Sequence, residues 1–179
     1  GIKVYDEDIA DLAARRSGIR KDYFEKVDEK PTDSFLYMLA MNTFTMNTSM
    51  NPFENTLSSD KLFNKQAEVI QEIADKDDCI IVGRCAGYIL RDEPKCVRIY
   101  ISADKDFRTK RIMASDHLDE KEAQKKIHSM DKKRDSYFGY YAGQDWKACH
   151  TYDLSISTSA LGIDKAVDLI CQYIDIKFK

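Results

Sequence analysis

The stretch Cys79-Ile80-Ile81-Val82-Gly83-Arg84 decides the fold class. Its first four residues are apolar, and the last three of those are β-branched. A strand with one wet face alternates apolar and polar residues, whereas a strand covered on both faces does not. The run therefore predicts a strand of a parallel sheet, buried on both sides. Gly83 closes it, and glycine lets the backbone turn sharply. Arg84 then stands just beyond the strand's carboxyl end, where ligands bind in open parallel sheets.

Outward from this strand, helical and strand patterns alternate. Ile2-Lys3-Val4-Tyr5 predicts a short strand ending at Asp6, followed by a helix with Ile9, Leu12 and Ala13 on one face. Residues 20–30 and 34–41 predict helices separated by Pro31, and 42–59 reads as a long mobile loop. Asp60 is the expected N-cap of a helix whose stripe is Leu62, Phe63, Ala67, Ile70, Ile73 and Ala74. After Cys79–Val82 come a strand at Cys96–Ile101 and a helix through Phe107, Ile112 and Met113. Asp119-x-x-Glu122 then has capping-box spacing. It opens a helix with Ala123, Ile127, Met130, Arg134 and Tyr137 on one face, ending near Lys132-Lys133-Arg134. A strand at Tyr152–Ile156 and a helix through Ile163, Ala166, Val167, Ile170 and Ile174 complete the chain. The expectation is one α/β domain over 1–179, a parallel sheet with helices on both faces.

The 179 residues suffice for one sizeable core. At 43% hydrophobic and 33% charged, the composition is that of a globular protein. A formal net charge of -3 argues against a nucleic-acid binder. No apolar run has the length of a membrane span, and no basic-then-apolar leader opens the sequence, so the expected location is cytoplasmic. The five cysteines form no C-x-x-C pair, which predicts free thiols in a reducing compartment. Cys79, Cys96 and Cys171 lie in apolar runs and are expected in the core. The three histidines lack metal-ligand spacing.

Several cations are candidates for an anionic ligand, each beside a plainer reading. Arg84 either presents its fork to a phosphate or ends in a salt bridge at the sheet edge. Asp6 either accepts hydrogen bonds from a ligand or caps the following helix. Arg108 and Arg111 share a helix face, either for an anion or as a solvated basic face. Lys132 and Lys133 complement a helix carboxyl end. Arg134, on the inward stripe, requires an anion, either Asp135 or a bound phosphate. Tyr137, Phe138, Tyr140 and Tyr141 with Gly139 and Gly143 either form a hinged aromatic flap over a nucleotide or an ordinary aromatic cluster.

Four segments together resemble the cytidylate-kinase-like branch of the P-loop nucleoside monophosphate kinases. They are IIVGRCAGYIL (80–90), VRIYISADKDFRTKRI (97–112), EAQKKIHSMDKKRDSYFGYYAGQDW (122–146) and YDLSISTSALGIDKAVDLI (152–170). The opening GIKVYDEDIADLAARRSGI is similar to that family's second strand and the start of its monophosphate region. The resemblance implies a three-layer parallel-sheet fold, with an acceptor-binding insertion at 20–59 and a mobile lid at 131–150. It implies ATP and Mg²⁺ as cofactors and phosphoryl transfer to a nucleoside monophosphate such as CMP or dCMP. It gives Arg84 the acceptor phosphate, Asp6 the acceptor nucleotide, and Arg134 with Lys133 the transferring phosphates. Arg111, and Arg108 beside it, fall to the donor nucleotide.

Three departures stand against the family pattern. No G-x-x-x-x-G-K-[ST] occurs in the 179 residues, so the sheet is expected to lack its middle strand and a segment is expected before Gly1. Ser136 and Phe138 stand where lid cations are expected, and Leu12 near an expected arginine. Two alternatives to a kinase follow: a nucleotide-binding regulator without turnover, and an interaction protein or homodimer using the 137–146 aromatics and the Met-rich 42–57 segment.

Overall fold

The computed structural model describes residues 1–6, 8–17 and 52–179. The expected helices at 20–30 and 34–41, and most of the 20–59 insertion, lie outside the described residues. Strand β1 is Lys3–Tyr5 and helix α1 is Asp8–Ser17. Helix α2, Pro52–Lys76, leads to strand β2, Cys79–Ile81, and a single helical turn α3, Ala86–Ile89. Strand β3, Ile99–Ser102, precedes helices α4, Lys105–Asp116, and α5, Glu120–Ala142. After a 3-10 turn at Cys149–Thr151 come strand β4, Leu154–Ser157, the turn α6, Thr158–Leu161, and helix α7, Ile163–Lys177.

The strands are parallel, as expected, and among the described residues they form two separate pairs, the division expected of a sheet that lacks its middle strand. β1 pairs with β2 with Val4 opposite Ile80, and β3 pairs with β4 with Ile101 opposite Ile156. Val82 extends the first pair by donating its N–H to the Tyr5 carbonyl at 2.9 Å. Helices α1 and α2 cover one face of this pair. Ile9, Ala13, Leu62, Val69, Ile70 and Ala86 are buried there, with Tyr5, Leu12 and Ile81 packed against them. The expected stripe of α1 is therefore the observed one, and Leu12 serves the core.

The other face is open. Val4, Ile80 and Val82 are 53%, 49% and 45% exposed, so the founding strand is buried on one face, not both. An apolar strand can be identified by its run of side chains. Whether both faces are covered depends on what packs there, and among the described residues only one face carries helices.

Two helix boundaries also depart from expectation. α2 begins at Pro52, eight residues before Asp60, inside the stretch expected to be a loop. Proline is well suited to the first helical position, where its missing N–H has no intrahelical role. α5 runs through Lys132-Lys133-Arg134 and Gly139 to Ala142, so those cations lie within the helix and not at its end. The capping box at its start forms as expected: Asp119 accepts from the Glu122 N–H and Glu122 from the Asp119 N–H. Gly143, φ 65°, supplies the left-handed cap that stops it. No helix among the described residues is long and apolar enough to cross a membrane. The cysteines are free; Cys171, expected in the core, is exposed on α7.

Candidate active site

Four strand ends frame the candidate site. Beyond β1 stands Asp6, exposed. Beyond β2 the backbone makes a left-handed turn through Gly83, Arg84 and Cys85, with φ of 74°, 56° at Cys85 and 52° at Arg84. The turn is closed by the Ala86 N–H donating to the Gly83 carbonyl at 3.0 Å. Left-handed arginine and cysteine are uncommon, and such strain persists only where surrounding packing enforces it. Here Arg84 and Cys85 are 7% and 6% exposed. Arg84 therefore stands at the strand end, as expected, with most of its side chain covered.

The ends of β3 and β4 are tied by hydroxyls. Ser102 Oγ donates to the Ile156 carbonyl and Thr158 Oγ1 to the Ser102 carbonyl, both at 3.1 Å. The Asp104 N–H donates to Ser159 Oγ at 2.9 Å. The Asp104 carboxylate caps α4 by accepting from the Phe107 N–H, which holds its pKa below the ordinary aspartate value.

A second group of charges lies where α4, α5 and β3 meet. Arg108 donates from both terminal nitrogens to both oxygens of Asp131, at 2.7 and 2.6 Å. This bidentate pair corrects the reading of Arg108 as part of a solvated basic face: its partner is 23 residues away on the next helix. Burial pushes the Asp131 pKa up. The Arg108 hydrogen bonds, with the charges of Arg108, Lys147 and Arg134, outweigh it and hold Asp131 low. Arg111, one turn on from Arg108, is exposed.

Arg134 is exposed as well, which corrects its placement on the inward stripe. α5 rests on α4 along its first half and on α2 near its end. Arg134 falls in the span between those supports. Among the described residues its side chain makes no hydrogen bond or ion pair with Asp135 or another carboxylate; it meets an aromatic ring, with Cζ 6.0 Å from the centroid of Trp146. Lys133 beside it is exposed. The aromatic run packs instead of hanging free. Tyr141 stacks on Phe63 of α2 at 3.8 Å, Tyr137 meets Phe63 edge-on at 6.3 Å, and the Tyr137 hydroxyl donates to buried Gln66 at 3.1 Å. The run thus forms the packed aromatic cluster of the plainer reading, with Tyr140 left 51% exposed.

The structure thus brings Arg108 and Arg134 together around Asp131, with Trp146, read in the sequence only as the end of the 137–146 aromatics, and with Tyr100 and Lys147, which the sequence reading had not singled out. Asp6 and Arg84 stand at the ends of the other strand pair. The missed residues carried one signal: Asp131 precedes Arg134 by three, so the two share a helix face. Tyr100 gave none, since its role depends on Trp146 returning to β3 from 46 residues away.

Parallel strands joined through helices, with polar and cationic groups beyond their carboxyl ends, define an α/β protein of the kind that takes its ligand at those ends. The chain belongs to the cytidylate kinase-like family, whose model matches residues 1–160. A cytidylate kinase of Sulfolobus acidocaldarius is 31% identical over 103 residues, 58% of this chain and 56% of that protein. One of Methanoculleus marisnigri is 27% identical over 111 residues, 62% of this chain and 59% of that protein. The matched span is thus little more than half of either relative. A crystal structure of an uncharacterized protein from Eubacterium ventriosum, 31% identical, matches with a TM-score of 0.68 over 97% of this chain and 84% of that one.

Proposed function

We propose that the protein is an ATP-dependent kinase of a nucleoside monophosphate of the CMP or dCMP kind, built on the three-layer P-loop fold of its family. The observation that carries this reading is the strained left-handed turn that seats Arg84 beyond β2. Backbone strain of this type clusters at ligand sites, and an arginine there offers a planar fork to the acceptor phosphate. Asp6, beyond β1, would accept hydrogen bonds from the acceptor's sugar or base.

The cations present fit a polyphosphate. Arg134, Lys133 and Arg111 are exposed, and among the described residues none makes an ion pair or hydrogen bond. In this reading they meet the donor phosphates, while Arg108, committed to Asp131, orients α5 instead. Mg²⁺ arriving with ATP would supply further charge neutralisation; among the described residues no group of three or more carboxylate, histidine or cysteine side chains could hold it, so it would depend on the nucleotide for its ligands. Phosphoryl transfer needs in-line positioning and positive charge on the equatorial oxygens, which arginine and lysine give directly. Residues 131–150 serve as the lid, closing charge over the reacting groups and excluding water. Five free cysteines suit a reducing, cytoplasmic setting.

A coupled ADP-release assay of the protein against a panel of nucleoside monophosphates tests this. Turnover with a cytidine nucleotide is expected. Thermal protection by ATP without turnover would replace the kinase with a nucleotide-binding regulator. Neither binding nor turnover would leave an interaction protein or homodimer as the reading.

A further inference from the structure

Arg134 makes no hydrogen bond or ion pair among the described residues; what it meets is the face of Trp146. That ring is fixed from the side of the β3–β4 pair. Tyr100 of β3 meets it edge-on at 5.6 Å and 86°, and the Trp146 carbonyl accepts a hydrogen bond from the Tyr152 hydroxyl at 2.7 Å. Tyr152 in turn lies 5.0 Å from Tyr100. The platform under Arg134 is therefore referenced to the strands, although Arg134 itself rides on α5. Lys147 Nζ lies 6.0 Å from the same ring, so two cations converge on it. The nearby carboxylate, Asp131, has both oxygens engaged by Arg108 and competes weakly for Arg134.

A guanidinium over an aromatic face is held through the ring's quadrupole. Its N–H donors lie in its own plane and stay available. Such a cation has already lost part of its rotamer freedom, so an arriving anion has less of it to freeze. We propose that Trp146 is a positioning residue, which holds Arg134 on the strand side of the lid with its donors free for a polyphosphate anion. The assignment rests on the phosphoryl-transfer reading above for its ligand, but not for its geometry.

Calorimetric titration with inorganic tripolyphosphate separates the possibilities. Arg134→Gln is expected to weaken binding about ten-fold and Trp146→Leu about three-fold. Trp146→Phe should restore part of the Trp146→Leu loss, because it returns an aromatic face. The double variant Arg134→Gln/Trp146→Leu should bind no more weakly than Arg134→Gln alone, since Trp146 acts only through that arginine. Wild-type affinity in Trp146→Leu, losses that multiply in the double variant, or no tripolyphosphate binding by the wild type would each overturn the assignment.

If Trp146→Leu does not fold, the wild-type ring reports directly, because Trp146 is the sole tryptophan. Acrylamide quenching of its emission should rise in ligand-free Arg134→Gln, and unchanged quenching overturns the proposal. The two readings fail separately. Binding that follows this pattern without phosphoryl transfer removes the kinase and leaves Trp146 in place. Phosphoryl transfer by Trp146→Leu with wild-type kcat and KM removes Trp146 and leaves the kinase.

Discussion

Arg84 and Cys85 share a backbone conformation that L-residues avoid, and they react differently to substitution. Cys85 is buried at φ 56°, so Cys85→Val should lower stability by at least about 1 kcal/mol more than Cys85→Ala, because a β-branched side chain fits that conformation worst. Thermal denaturation of the two variants measures the difference. Arg84→Ala is expected to lower phosphoryl transfer ten-fold or more, about 1.4 kcal/mol in the barrier. An unchanged rate would remove it from the site. The sequence placed Arg84 correctly, because a glycine after an apolar run announces a strand end. It did not announce the left-handed conformation of Arg84 and Cys85, since neither residue type favours it. Arg134 was misplaced for a different reason. Helical periodicity gives the direction of a side chain and not whether a partner lies below it, and at that turn Arg134 is exposed over the Trp146 ring.

At the scale of elements, α5 is held at three points. Arg108 pins its middle to α4, Tyr137 and Tyr141 pin its last turns to α2, and Gly143 ends it. A Cβ at Gly143 meets nothing within 4 Å, so Gly143→Ala tests conformation alone. It should cost about 1 kcal/mol, with Gly143→Asn costing less, because asparagine tolerates the left-handed cap. Chemical denaturation distinguishes them. The Arg108–Asp131 pair adds a pH dependence. Its carboxylate titrates below the ordinary aspartate value of 3.8 when folded, so its contribution is present above that value and is lost as pH falls further. Asp131→Asn should lower stability at neutral pH and flatten its decline in acid, which unfolding midpoints between pH 5 and about pH 2 would show. The start of α5 was legible because Asp119 and Glu122 satisfy each other locally. Its end was not, because the contacts that extend it past Arg134 come from Phe63, on another helix.

For the molecule as a whole, one carboxylate joins the segments leading into both β3 and β4. Asp153 accepts from the Arg98 N–H at 2.7 Å and from the Arg98 Nε and a terminal nitrogen at 3.2 Å, with Lys177 of α7 3.9 Å away. These hydrogen bonds, first among them those of Arg98, keep Asp153 below the ordinary aspartate range. Asp153→Asn is expected to lower stability by about 2 kcal/mol at neutral pH, since it weakens several charge-assisted bonds at once, and thermal unfolding measures the loss. The parallel character of the strands was readable from their apolar runs. Their division into two groups followed from the expected lack of a middle strand, but which strand pairs with which was not readable, because pairing is a relation between segments that no single run contains.

That pairing also fixes an order in time. Ile99 must wait for Leu154, 55 residues later in the chain. At ribosomal rates of about 5 to 20 residues per second, the edge of β3 stays open for roughly 3 to 11 s after it is made. Helices α4 and α5, joined to each other by Lys126–Asp116 and Arg108–Asp131 across 10 and 23 residues, emerge within that interval and can assemble well before it ends. During synthesis, the backbone groups on that side of β3 therefore stay unpaired and open to neighbouring chains until β4 is made.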